Sequence, residues 1–436
     1  MKMTNNSRCL RFCMVPAMMA FGGAASAGEF LFNPYASGQY LYDSNVYKFS
    51  SQVADVTGTT DTSDRSQRYI AGLDSRYTWQ KQKVHALVEG RRILFHDFTH
   101  LDHNEYALDA GFDGGILSNT TGMLNYHNER RMASFEDRRS TQLTMEHEQI
   151  GQGGLSFAVA PDWHIVTGAR IRYLLSPLPE APALPQPPPG AAARLASPDF
   201  AVHERTYNAG VQYGIENKAE PETEAPLVVG VMLEHQTVNF SGVTPQPPPP
   251  PGVTRDDFEG YRLLSLQATA QYVVSGLSNL DGKLGVAQYK PKSSGSSKPE
   301  LIGEIGYTRK LTGVTELNLH LFRRIVAFAA SADSTTDTGA SIGAKWEPIL
   351  DLGVLANYSY ATSHFGGSSV APENSGRSDK VQNASLSVAY PLFHYFGVRL
   401  FGTYTNRSSN LAFDNYSDKI VGLELSFRWH QPGDTL

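Results

Sequence analysis

The sequence predicts an all-β protein: a transmembrane antiparallel up-and-down β-barrel of about eighteen strands, with sixteen possible and both termini periplasmic. Three observations predict it. Segments of about ten residues alternate apolar and polar side chains, aromatic residues stand at the ends of the apolar faces, and long connections alternate with short ones. Successive side chains of a strand point to opposite faces, so each segment has one lipid-facing and one polar face.

The alternation recurs along the chain. In one segment, the outward side chains Tyr69, Ala71 and Leu73 alternate with Gly72 and Asp74, and the pattern continues to Trp79. A soluble β-sandwich also alternates, but its strands average about 5–6 residues. The alternating segments are, in order, 69–80, 106–113, 163–173, 207–216, 264–274, 316–321, 352–360 and 422–429.

The connections form a second series. Outer-membrane barrels have short periplasmic turns and longer extracellular loops. The long loops are predicted near 48–66, 96–104, 129–141, 175–204, 239–259, 290–299, 328–337, 363–381 and 405–417. The short turns are predicted near 80–83, 114–121, 160–162, 217–226, 275–279, 310–314, 347–351 and 391–396. The loops near 175–204 and 239–259 are rich in proline, which cannot donate to a β-ladder.

The first 27 residues resemble a secretory signal peptide. Lys2, Arg8 and Arg11 precede an apolar stretch, and Ala25-Ser26-Ala27 fits the cleavage pattern. Residues 28–436 are then predicted to form one outer-membrane barrel domain. Both cysteines fall within the signal peptide, and its removal takes the formal net charge from −6 to −9.

Composition and motifs exclude several classes. An acidic exported chain has no basic footprint for nucleic acid, and the apolar runs are too short for a membrane-spanning helix. No Gly-x-Ser-x-Gly, phosphate-binding loop or His-Glu-x-x-His motif occurs, so no enzyme and no cofactor is predicted. His96, His100 and His103 are irregularly spaced in a predicted loop, and no metal site is predicted there.

The polar strand faces would line the lumen, because barrels of this size leave an aqueous channel. Basic and acidic side chains both occur there, so charge selectivity remains open. Many of them could instead brace the wall as ion pairs. The candidate lumen-lining residues are Asp74, Arg76, Glu89, Arg91, Asp109, Asp113, Arg131, Arg170, Arg172, Glu304, Glu316, Arg324, Lys345, Arg399, Glu424 and Arg428.

Four short segments resemble the EpsL-like outer-membrane proteins of exopolysaccharide operons. They are Tyr40–Tyr47, with its Asp-x-Asn-Val-aromatic turn, Ala133–Arg138, Ala160-Pro161-Asp162-Trp163 and Leu425–Trp429. The resemblance implies an outer-membrane pore through which a secreted polysaccharide leaves the cell. It implies polysaccharide, outer-membrane lipid and a periplasmic or inner-membrane synthesis machinery as partners, and it supplies no functional residues.

The expected function is therefore a porin that exports a secreted or capsular exopolysaccharide through a polar lumen. Inward aromatic residues, such as Phe322 and Phe401, could stack on sugar faces or simply pack in the wall. Two alternatives remain open. One is a general or sugar-uptake diffusion porin, and the other is a structural or adhesive barrel whose long loops bind a partner.

Overall fold

The structure, a computed structural model, describes residues 28–59, 61–136, 141–176, 200–215, 227–241, 260–292, 297–328, 333–349, 352–366 and 376–429. The predicted signal peptide and most of the two proline-rich loops lie outside these residues. The short helix α1 spans Ser51–Thr57, and two 3-10 turns span Thr99–Leu101 and Ala412–Asp414. No helix among the described residues has the length and apolar character needed to cross a membrane.

Eighteen strands make up nearly all of the remaining regular structure. Their bounds are β1 Glu29–Asp43, β2 Asp64–Trp79, β3 Gln82–Phe95, β4 His103–Leu117, β5 Thr120–Met132, β6 Met145–Ala160, β7 Trp163–Ser176, β8 Phe200–Ile215, β9 Leu227–Ser241, β10 Tyr261–Ser275, β11 Ser278–Pro291, β12 Lys298–Thr312, β13 Thr315–Phe328, β14 Asp333–Trp346, β15 Gly353–Phe365, β16 Ser378–Phe393, β17 Phe396–Ser409 and β18 Tyr416–Arg428.

The strands close into a single antiparallel barrel. Each strand pairs with its sequence neighbours, and β1 pairs with both β2 and β18, so the sheet has no free edge. This confirms the predicted fold class, with eighteen strands rather than sixteen. Closure follows from the environment, because lipid offers no hydrogen-bond partner to an exposed strand edge.

The strands are longer than the sequence predicted. They have 13 to 16 residues rather than about ten, and β1 begins as early as Glu29. Only about ten tilted residues are needed to cross the hydrocarbon layer. The rest extend the wall into regions predicted as loops, so the connection predicted at 405–417 shrinks to the residues between Ser409 and Tyr416.

The outer face of the wall is apolar. Leu266, Leu284, Leu386 and Val231 lie on outward positions and are each more than half exposed. Exposed apolar side chains on this scale are stable only against lipid, so this face forms the hydrocarbon-facing band.

Aromatic rings border this band. On the short-turn side, Tyr77 stacks on Trp79 with ring centroids 5.2 Å apart, and Tyr395 stacks on Trp429 at 5.4 Å. On the long-loop side, exposed rings include Tyr40, Tyr69, Tyr106, Tyr126 and Tyr207. Such amphipathic rings favour the level of the lipid headgroups, and the two girdles therefore mark the membrane boundaries.

The segregation of faces predicts opposite outcomes for one substitution at neighbouring residues. Leu386 points to lipid near the middle of β16, whereas Ser385 points into the barrel. We expect Leu386→Arg to destabilise the folded barrel by about 2–4 kcal/mol, because a guanidinium would enter hydrocarbon. Ser385→Arg is the matched control and should cost much less. Reversible urea unfolding in lipid vesicles measures both, and equal losses would contradict the assignment of faces.

Candidate functional site: the polar interior

The interior is lined by the residues that alternate with the lipid-facing ones. Residues paired across neighbouring strands share a face, so the inward positions can be followed from strand to strand. Gln39 on β1, for example, is paired with Glu424 on β18, which is paired with Arg399 on β17. All sixteen residues proposed from the sequence occupy inward positions. Whether any of them contacts a transported molecule is a separate question, and their contacts differ in kind.

A ladder of shared ion pairs runs across β3 to β5. The Arg91 guanidinium contacts Glu89 at 2.5 Å, Glu129 at 3.1 Å and Glu105 at 3.4 Å. Glu129 also accepts a hydrogen bond from Arg131 at 2.6 Å. Glu129 thus links a cation on its own strand with one on β3, and the wall is braced across neighbouring strands.

The ladder continues across β6 to β9. Arg131 lies 3.3 Å from Glu148, which accepts a hydrogen bond from Arg172 at 2.5 Å. Glu204 forms an ion pair with Arg170 at 3.0 Å and lies 3.6 Å from Arg172. Gln236 donates to Glu204 at 3.0 Å, which ends the series on β9. The arginine side chains remain 25 to 40 % exposed to the lumen, so this wall presents charge to a passing solute.

Four acids of this ladder were absent from the candidates proposed from sequence: Glu105, Glu129, Glu148 and Glu204. Glu129 and Glu204 fell inside predicted loops, because the strands run further than the sequence showed. Glu148 lies on the glycine-rich β6, whose alternation is too weak to recognise. The sequence spacing could have identified Glu129. It is two residues from Arg131, and residues two apart on a strand share a face.

The other candidates have fewer charged contacts. Asp109 contacts His127 at 2.6 Å, Glu304 lies 3.5 Å from Lys283, and Glu424 binds Arg399. Lys345 pairs with Glu347 at 2.8 Å, and Glu316 accepts from the Asn318 amide at 3.2 Å. Within the described part of the chain, no ion-pair partner is found for Asp74, Arg76 or Asp113.

Two inward aromatic rings pack flat on the wall. A Cβ atom on Gly422 would lie 2.4 Å from the Phe401 ring, so only glycine allows the ring to lie there. A Cβ atom on Gly339 would likewise lie 2.7 Å from the Phe322 ring. In each case an arginine two residues away lies over the ring at 4.8 Å, namely Arg399 and Arg324. These contacts show that both rings are part of the wall packing.

The charged inward residues of β13 and β14, such as Glu316, Arg324 and Lys345, lie towards the strand ends. The middle of the opposite wall, on β13 to β17, is polar, and we call this part the neutral wall. It surrounds a concave region of about 490 Å³. Amide and hydroxyl groups dominate the lining of this region, which includes His320 and, among the described residues, no Asp, Glu, Lys or Arg side chain. They are Asn318, Ser341, Asn357, Ser359, Asn383, Ser385, Thr403 and Thr405. A second concave region of about 520 Å³ lies beside Arg170 and Glu204. It borders the ion-pair ladder of β3 to β9, which we call the charged wall.

An aromatic cluster covers part of the extracellular mouth. Tyr47 lies 4.8 Å from Phe98, 5.2 Å from Phe135 and 5.4 Å from Phe49, measured between ring centroids. These residues come from three different loops, and burial raises the pKa of the Tyr47 phenol. The Asn45 side chain fixes the first loop, because it accepts from the Phe49 amide and donates to the carbonyls of Phe49 and Ser417.

The loop after β5 leans over the lumen. Glu136 accepts a hydrogen bond from Tyr416 on β18 at 2.7 Å and lies 3.4 Å from Arg407 on β17. Five strand-to-strand steps separate β5 from β18 along the wall, which is about 24 Å at the usual strand spacing. The contact therefore crosses the mouth instead of following the rim. Asn45, Tyr47, Phe135 and Glu136 all belong to the segments on which the EpsL-like resemblance rests.

No metal centre emerges in this interior. Among the residues that the structure describes, no group of three or more His, Cys, Asp or Glu side chains is placed to hold a metal ion. The His100 Nε2 atom lies 3.2 Å from the Tyr47 hydroxyl and 3.0 Å from the Thr141 carbonyl oxygen, and the His103 Nδ1 atom lies 2.6 Å from the Leu101 carbonyl oxygen. These loop histidines serve the packing of the mouth.

Comparison with known proteins gives one family match and several similar structures. Residues 322–429, less than half of the chain, match the family model "Surface lipoprotein assembly modifier", SlipAM. This is a different family from the EpsL-like proteins, so that resemblance stays a prediction. No curated protein matches the sequence.

Three of the similar solved structures are proteins of Pseudomonas aeruginosa. OpdK shares 11 % identity over 92 % of this chain and 99 % of its own, with a TM-score of 0.44. OccK2 (OpdF), solved in complex with glucuronate, shares 13 % over 92 % and 98 %, with a TM-score of 0.44. OccK9 (OpdG) shares 13 % over 92 % and 99 %, with a TM-score of 0.43.

The closed barrel, its apolar band and its two aromatic girdles define the class of this protein. It is a β-barrel of the bacterial outer membrane, of the strand number found in porins.

The charged wall predicts a change in ion selectivity. Glu148 and Glu204 each neutralise two arginines, so the double variant Glu148→Gln, Glu204→Gln leaves the wall more positive. A unit charge at 4 Å in water is worth about 1 kcal/mol, and we expect the K⁺/Cl⁻ permeability ratio to fall several-fold. Arg172→Gln should shift the ratio the other way. Reversal potentials in planar bilayers measure it, and no shift in either variant would show that ions avoid this wall.

Proposed function

We propose that the protein is a passive diffusion channel for small hydrophilic solutes, with uncharged hydroxylated solutes such as sugars as the preferred class. The observation that carries the proposal is the neutral wall at mid-height on β13 to β17, which faces the charged ladder of β3 to β9 across the lumen. The proposal favours the uptake alternative over polymer export.

The chemistry of the neutral wall suits hydroxyl groups. Asn amides and Ser or Thr hydroxyls both donate and accept hydrogen bonds, as sugar hydroxyls do. Few of the groups here are held by one another, the clearest pair being Thr405 with Asn383 at 2.9 Å. The rest can exchange water for solute hydroxyls without breaking an ion pair, so partition into this region costs little.

The partly covered extracellular mouth favours passage of small solutes over that of a polymer. The aromatic cluster and the Glu136 contacts place folded loop over part of the opening. A monosaccharide or disaccharide needs only the remaining aperture, whereas a polymer occupies the whole length of the path for the duration of its passage. No contact among the described residues favours a polymer.

Export of a polysaccharide is the second candidate, and the loop segments that resemble the EpsL-like family are what favour it. It would require a periplasmic or inner-membrane synthesis machinery as partner, because the barrel supplies no energy. Deletion of the gene distinguishes the two: loss of surface polysaccharide supports export, and loss of growth on a dilute sugar supports uptake.

A swelling assay tests the diffusion channel directly. Vesicles that contain the purified barrel should swell in isotonic neutral monosaccharide. Asn357→Leu with Asn383→Leu, which removes two amides from the neutral wall, should slow sugar entry several-fold while KCl conductance changes much less. Ala384→Leu, which faces lipid between these strands, is the matched control. Absence of swelling with the wild-type barrel would overturn the proposal.

A further inference from the structure

The lipid-facing surface carries charges of one sign. Strand register assigns every residue to one of the two faces, and no Asp or Glu occupies an outward position within the described strands. The charged residues at outward positions are Arg65, Arg92, Arg130, Arg205, Arg262, Lys290, Arg309, Arg323, Lys380 and Lys419. Within the described strands the outward charges are therefore basic, apart from the Glu300 carboxylate, which reaches Arg323.

These cations lie at one level. Except for Arg309, each is in the half of its strand nearest the long loops. Arg262 precedes the exposed apolar Leu264 and Leu266 on the outward face of β10, and Lys419 precedes Val421 in the same way on β18. Residues at this height stand at the boundary between hydrocarbon and headgroups of the outer leaflet.

The densest part of this belt is a row across β8 to β11. Arg205 is paired with Thr237, Thr237 with Arg262, and Arg262 with Lys290. Adjacent strands are about 4.8 Å apart, so Arg262 stands about 5 Å from Lys290 and about 10 Å from Arg205 along the wall. All three side chains are exposed. We call Arg205, Arg262 and Lys290 the basic row.

The basic row has no internal counter-charge. Among the described residues no carboxylate forms an ion pair with any of its three members, in contrast to Arg323 elsewhere on the belt, which lies 3.5 Å from Glu300. Three neighbouring like charges repel one another, and anions in the surroundings would relieve this repulsion. At this height the surroundings are lipid headgroups.

We propose that the basic row binds the phosphate groups of an outer-leaflet glycolipid. Guanidinium groups bind phosphate through paired, charge-assisted hydrogen bonds, and the lysine adds a point charge beside them. The neighbouring outward groups also suit a sugar-phosphate headgroup, since Tyr207 and His235 lie just below the row and His203 and Asn239 just above it. The acyl chains would then lie against Leu233, Leu264 and Leu266.

The site is separate from the lumen and does not depend on the solute that the channel carries. It faces the opposite side of the same strands, so the charged ladder and the basic row use alternate residues of β8: Glu204 inward and Arg205 outward. A variant of the basic row can consequently be examined in the intact barrel.

The test measures glycolipid binding by the intact barrel in detergent. The probe is a lipid A-type glycolipid with two phosphates, compared with its dephosphorylated form, and bound lipid is counted by native mass spectrometry. The triple variant Arg205→Gln, Arg262→Gln, Lys290→Gln should bind the phosphorylated form about a hundredfold more weakly, at about a fivefold loss for each cation. The matched control is Lys283→Gln, Arg324→Gln, Lys345→Gln, which makes the same charge change on inward positions and should bind normally.

Equal binding by the triple variant and wild type would overturn the proposal, and so would equal binding of the phosphorylated and dephosphorylated lipids. Millimolar inorganic phosphate should displace the lipid only weakly, because it lacks the acyl chains. Complete displacement would show an anion site without lipid recognition and would likewise overturn it. Because a variant can fail to fold, each one is first checked for heat-modifiable migration on a gel.

Discussion

The structure depends on one constraint: every backbone amide and carbonyl that enters the hydrocarbon layer needs a hydrogen-bond partner within the protein. The pairing of β1 with β18 meets it for the two strands that would otherwise be edges. Once the sheet is closed, side chains can only point outward to lipid or inward to water. The apolar band, the polar lumen and the basic belt all follow from that division.

The division sorts charge as well as polarity. In the described strands the carboxylates point inward, where water and arginines stabilise them, and the outward cations stand at the headgroup level. The lumen is itself divided. On one wall, shared ion pairs stiffen the sheet. The neutral wall instead carries amides and hydroxyls that can form hydrogen bonds with a solute. The lumen therefore has one charged side and one side that offers hydrogen bonds without net charge.

The sequence predicted the fold because period-two alternation and loop lengths are local properties. It placed Arg91, Arg131 and Arg172 on one face for the same reason. It missed Glu129 and Glu204 because strand ends that extend beyond the membrane lose the apolar signal, and it missed Glu148 because glycine hides alternation in β6. Contacts such as Glu136 with Tyr416 join residues distant in sequence, and no local pattern records them. Whether the lumen residues touch a solute is not encoded in periodicity.

The central claim is that alternate residues of one strand face a water-filled lumen and lipid. Cysteines placed singly at 383, 384, 385 and 386 of the mature chain, in which no other cysteine is expected, test it most directly. The account predicts that a charged thiol reagent reacts rapidly and reduces channel conductance at positions 383 and 385, and does neither at 384 and 386. Uniform reaction at all four positions, or reaction at 383 and 385 without any change in conductance, would contradict it.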